Sequence, residues 1–191
     1  MAIPIPNVEI VTLLFVVFTL VFGWLFSFIA SFFFVAIEIL IWGFNPAWVI
    51  LYFIYWPILV SIVGLVRLLF IGLKEKQKKR LKKFVGPLQE KYLLPKIHIS
   101  QKRQMVMIIV TVVLAVALTV LFGALSVLIE VLVWQLGGVI QSGRFWIHFY
   151  YRYLSGIPFF IIHIVNNAIV LPLLVPPLYI ALSVAKRELK L

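Results

Sequence analysis

Apolar and polar positions fall into long blocks along this chain rather than alternating at a helical or strand period. Residues 10–44, 49–73, 105–136 and 158–184 are almost wholly apolar. A bilayer core about 30 Å thick needs about 20 such residues per helical span, so each block is long enough to cross one. The pattern predicts an all-α integral membrane protein of a single transmembrane domain, with four transmembrane helices arranged as two helical hairpins.

The first block is too long for one crossing. At 1.5 Å per residue it makes a helix of about 50 Å, and the excess predicts tilt, a kink near Gly23 or an extension into the interface. Asn45-Pro46 then predicts a turn. The last block holds Asn166, Asn167, Pro172, Pro176 and Pro177, and its prolines predict a kinked or partly unwound helix.

Between the blocks lie segments of two kinds. Residues 74–104 are a basic loop in which eleven Lys and Arg side chains face two Glu, so it carries most of the formal net charge of +11. Leu81, Phe84, Val85, Leu88 and Tyr92 recur there at helical spacing, which predicts an amphipathic segment with one side against the interface. Residues 137–157 are mixed and aromatic, too polar to cross lipid, and predict a segment lying in the interface. A short basic tail, 185–191, closes the chain.

Bases near the ends of spans set orientation. The basic loop and the tail are separated by two spans, so the positive-inside rule predicts that the N-terminus, the loop and the C-terminus are all cytoplasmic. Arg144 and Arg152 then fall on the outer side. Residues 1–9 contain no base, so no cleavable secretory signal is expected.

The first and third spans resemble each other at an offset of 92 residues. Val35-Ala-Ile-Glu-Ile-Leu-Ile-Trp42 aligns with Val127-Leu-Ile-Glu-Val-Leu-Val-Trp134, and the same register sets Ser27 and Ser31 over Thr119 and Gly123. Glu and Trp are rare in this chain, so their coincidence carries the match. Steps of four, seven and four residues nearly complete whole turns, which puts each set on one helix face. Small residues there suit close helix packing, and Glu38 with Trp42, like Glu130 with Trp134, suits an indole-to-carboxyl hydrogen bond. The repeat predicts a parallel pseudo-symmetry about the membrane normal.

Composition adds limits. Of 191 residues 64% are hydrophobic and 12% charged, far from the balance of a soluble domain. No Cys or Asp is present, so thiolate chemistry is excluded and carboxylate chemistry rests on Glu alone. No nucleotide-binding, nucleophile or paired-carboxylate motif occurs, and His148 and His163 lack metal-ligand spacing. No enzyme, cofactor or metal is expected.

Two functions follow as expectations. The first is a non-enzymatic scaffold, assembly or membrane-shaping subunit of a larger membrane complex. Its protein partners or further copies of itself would sit in the membrane. Its basic residues Arg67, Lys74, Lys76, Lys78, Lys79, Arg80, Lys82 and Lys83 would contact anionic inner-leaflet headgroups, with Arg67 snorkelling toward them. Nucleic acid is the poorer partner for a tethered loop with few aromatics. The alternative is a small oligomeric translocator of ions, protons or lipid, using Glu38 and Glu130. The topology also predicts that at least one of these glutamates approaches Arg144, His148 or Arg152.

Overall fold

The computed structural model describes residues 10–84, 101–141 and 143–189. Five helices account for nearly all of it, and among the described residues there is no strand: α1 Ile10–Phe22, α2 Trp24–Trp42, α3 Pro46–Phe84, α4 Gln101–Leu136 and α5 Phe145–Glu188. Four carry stretches long and apolar enough to cross a membrane, namely Trp24–Trp42, Pro46–Phe70, Gln101–Leu136 and Phe145–Lys186. This is a multi-pass membrane protein by length and composition.

The first block is not one helix. Gly23 adopts φ 103°, ψ 172°, a conformation essentially reserved for glycine, and the chain folds back there. An unbroken helix would hold residues 15 and 34 about 28 Å apart, yet the Phe15 and Phe34 rings lie 5.7 Å apart, edge to face. Of the three ways to absorb the excess length, a break at Gly23 is the one used. It is far sharper than a kink.

Reversal puts α1 in the middle of the molecule. It packs on α2, α3, α4 and α5, and Thr12, Val16, Val17, Thr19 and Leu20 are all but inaccessible. A helix apolar on nearly every side can bury most of its surface, and only the stripe through Ile10 and Leu14 remains exposed. At 13 residues α1 is about 20 Å long, shorter than the hydrocarbon core.

The remaining helices differ from the expected spans mainly at their ends. α3 starts at Pro46, where Asn45 Oδ1 accepts from the backbone N–H of Ala47 and Trp48, so the expected turn is an N-cap followed by proline at the first helical position. The same helix continues to Phe84, so the first part of the expected basic loop is helical; residues 85–100, with Val85, Leu88 and Tyr92, lie outside the described residues. α5 begins at Phe145, so most of the expected interfacial segment is the start of the last span. Only the turn after α4, with Gly138 and Gly143 at positive φ, is irregular.

The prolines also act less severely than expected. α5 remains helical through Pro158, Pro172, Pro176 and Pro177, and α3 through Pro57. A proline removes one backbone donor, and in a helix of 44 residues the ladder on either side holds the element together. That helix is about 66 Å long, so its ends project beyond the apolar core.

Contacts set the two ends of the bundle. Trp24 meets Ser61, Phe32 meets Phe53 and Phe34 meets Tyr52, so numbers fall along α3 as they rise along α2. On α4 and α5, Gln104 meets Tyr179, Thr119 meets Asn167 and Glu130 meets Arg152 in the same opposed order. Arg67 and Lys186 therefore mark one end, here called the basic end, and Glu130 with Arg152 marks the other.

Candidate functional site

Two polar constructions stand out in an otherwise apolar bundle. At the basic end, α1 stops at Phe22 and leaves its last carbonyls without intrahelical donors. Arg67 Nε of α3 donates to Leu20 O at 2.9 Å, and Lys186 Nζ of α5 donates to Val21 O at 3.0 Å. Lys186 also lies over the Phe22 ring, 5.3 Å from its centre. Two cations from different helices thus close the negative end of one short helix dipole.

That geometry corrects the expectation for Arg67. Its guanidinium does not run out toward headgroups, because a buried helix end offers a nearer acceptor and Gly23 leaves room for it. A Cβ at position 23 would stand 3.2 Å from Arg67 Nη1. Lys74, Lys76, Lys78, Lys79, Arg80, Lys82 and Lys83 fall on the α3 backbone, and their side chains lie outside the described residues.

At the opposite end, Glu130 and Arg152 form a bidentate pair, with Arg152 Nε to Oε2 at 2.8 Å and Nη2 to Oε1 at 2.9 Å. The guanidinium also lies over Trp134, 5.7 Å from the ring centre. Of the expected approaches between a glutamate and a base, this is the one the structure contains. Arg144 and His148 are exposed and take no part in it. Neither Trp42 nor Trp134 donates to its neighbouring carboxylate; at Glu130 the fork of an arginine makes two charge-assisted bonds where an indole makes one neutral one.

Glu38 has a different setting. It is half-buried, and among the described residues nothing hydrogen-bonds or ion-pairs with its carboxylate. Trp42, one turn further on, is 79% exposed. The other aligned positions agree better. Ser27, Ser31 and Thr119 are buried, and Gly123 lies against the Phe160 ring. Ser27 Oγ donates to Gly23 O at 3.0 Å, and Thr119 Oγ1 donates to Ala115 O at 3.1 Å, the same bond at matched positions.

The Glu130–Arg152 pair lies in the wall of a cavity of about 320 Å³. α3 contributes Ala47, Trp48, Leu51 and Tyr52 from its first turns; α4 supplies the floor with Phe122, Ser126 and Glu130. The far wall is α5, from Arg152 and Ser155 down to Phe159 and His163. His163 is stacked between Phe122 and Phe159, its ring 5.2 Å from the first and 6.1 Å from the second. From Arg152 to His163 is about 16 Å along the helix, so the cavity is elongated, charged at one end and aromatic at the other.

Comparison with protein-family models, curated proteins and solved structures finds no match. The chemistry of the cavity therefore has to be read from its own residues. Among the described residues no three His or Glu side chains gather as a metal site would require. The cavity holds one acid, already neutralised, and one imidazole between two phenyl rings.

Reading the sequence alone missed Lys186 as a cap, Asn167 as the donor to Thr119, and the cavity lining apart from Glu130 and Arg152. The first two lie within a recognised span and a recognised tail. The signal for Lys186 is faint: a base at the end of an apolar block looks the same whether it meets lipid or a carbonyl.

Proposed function

We propose that this chain is a non-enzymatic structural or accessory membrane protein, a scaffold or assembly subunit within a larger membrane complex. The observation that carries the reading is how the intramembrane polar groups are spent. Arg67 and Lys186 hold α1, Arg152 holds Glu130 and Asn167 holds Thr119, while apolar side chains occupy the outside of α2 and α5. Groups engaged in such fixed bonds stiffen a bundle and are poorly placed to relay protons or ions.

In this reading α2–α3 and α4–α5 are two hairpins of related design, and α1 is a short helix inserted between them. The basic end faces the cytoplasm, where Lys74 to Lys83 meet anionic headgroups at about 1 kcal/mol per base. Because α1 runs toward that end before Gly23, Ile10 points away from it.

Photo-crosslinking in the native membrane tests the proposal. A crosslinking residue at Phe33 or Ile37, both exposed on α2, is expected to give a discrete protein adduct, either of a partner or of a second copy. Lipid adducts alone at both positions would overturn it. The translocator reading draws support from the cavity beside Glu130, but Glu38 does not line that cavity. Ion flux through proteoliposomes that is abolished by E130Q would favour it.

A further inference from the structure

The cavity beside Glu130 has a shape and a polarity gradient that an apolar scaffold does not require. At 320 Å³ it sits at the lower end of the range for small-ligand sites, about 300–1,000 Å³. Its charged end is about two turns from the start of α5, at the end of the bundle opposite Arg67 and Lys186, and its aromatic end lies further along the apolar part of the helices. A wholly polar ligand would waste the lower half. A wholly apolar one would strip water from the donors and acceptors of the ion pair that are not spent on each other, at a cost it could not offset.

The ion pair itself selects among amphiphiles. Arg152 spends Nε and Nη2 on Glu130, which leaves the Nη1 protons free to donate; each Glu130 oxygen accepts one of these bonds and retains further lone-pair capacity. The Arg152 side chain is 48% exposed and that of Glu130 25%, so both signs are presented side by side with no net charge. An anionic head would meet the carboxylate with repulsion. A head carrying both a phosphate and an ammonium meets each with its opposite.

We propose that this cavity binds one zwitterionic phospholipid, with phosphate on Arg152, ammonium on Glu130 and the upper part of one acyl chain along Leu51, Phe122 and Phe159. Ser126 and Ser155 donate their hydroxyls to the carbonyls of Gly123 and Arg152, so they flank the head as acceptors only. The site is separate from the basic end, whose expected lipids are anionic, and it stands whether or not the scaffold reading holds.

Native mass spectrometry of the whole chain, purified in detergent and delipidated, tests this with added phosphatidylethanolamine, phosphatidylglycerol or glycerophosphoethanolamine. The expected result is one phosphatidylethanolamine retained per chain, roughly tenfold in preference to phosphatidylglycerol. Glycerophosphoethanolamine, which has the head without the chains, should not be retained. A47W on α3 and S155F on α5 fill the cavity from opposite walls, and each should lower retention about tenfold. I161W, on the exposed face of α5, should not. E130Q combined with R152Q should retain lipid but lose the preference between heads.

Equal retention of the two phospholipids, uptake of several without saturation, or unchanged retention in both cavity variants would each overturn the proposal. Helical circular dichroism identifies a variant that has not folded. The remaining cavity variant and the selectivity of the unaltered chain then decide.

Discussion

α4 crosses the bundle as one helix of 36 residues, whereas the segment aligned with it in the first half is cut in two at Gly23. The residue of α4 that matches Gly23 is Ala115, fully buried in an intact helix. At this position the two backbones part. Both regions keep the bond from Ser27 or Thr119 back to residue 23 or 115, so the difference is not in the hydrogen bonds that follow but in the backbone a glycine can adopt. The same inward stripe can thus serve a straight span or the return arm of a folded one.

G23A should have the largest effect of any single change. Alanine at φ 103° is strained, and its Cβ would crowd Arg67. Together these should cost about 3 kcal/mol and lower the unfolding midpoint in detergent by about 8 °C. A115G in α4 should cost about 1 kcal/mol, the helix-interior penalty of glycine, without breaking the span. Equal losses from the two variants would break the comparison.

R67M is the next test, because the fold-back is held as well as permitted. Removing the guanidinium leaves Leu20 O without its external donor and weakens the positive cap on α1, at about 2 kcal/mol. K186M should act in the same direction and less, since its flexible amine makes one bond to Val21 O. Thermal melts of the two variants and their combination check this. A combined loss larger than the sum would show that either cation can hold the α1 end alone, and a smaller one that the two act as a unit.

The apolar blocks were legible from sequence because the bilayer requirement is local: each span must be apolar over its own length. The Glu130–Arg152 approach was legible too, since counting residues from a turn places both at one level. The reversal at Gly23 was not, because a glycine in an apolar run reads the same in a straight helix as at a fold. What decides it are partners 47 and 165 residues away in the chain. The cavity was hidden for the same reason: it needs the α3, α4 and α5 walls in place at once. The expected indole bond to Glu130 gives way to an arginine arriving from another helix, whereas at Glu38 the indole of Trp42 is simply turned outward.

Aligned positions also differ in what they bind across helices, and T119V against S27A measures that. Thr119 accepts from Asn167 Nδ2 at 3.0 Å with both residues buried, so valine there strands an amide and should cost about 1 kcal/mol. Among the described residues Ser27 makes only its local bond to Gly23 O, and alanine should cost a few tenths of a kcal/mol. Unfolding in detergent separates the two if the first half lacks the cross-helix bond. A larger loss from S27A would mean that the buried α2 stripe carries a bond of equal weight.

The smallest contrast is between the two glutamates. E130Q removes the charge that holds Arg152, and because the pair is partly exposed the loss should be about 0.5–1 kcal/mol. E38Q removes a half-buried carboxylate with no bonded partner among the described residues, so stability should stay the same or rise slightly, since a neutral amide is cheaper to bury than a charge. Opposite signs in parallel melts at one pH would mark Glu130 as a structural pair and Glu38 as a group kept for another reason. A loss from E38Q as large as that from E130Q would place a counter-charge beside Glu38, supplied by a second copy, a partner or a part of this chain outside the described residues. The two halves would then be alike at the position where they now differ most.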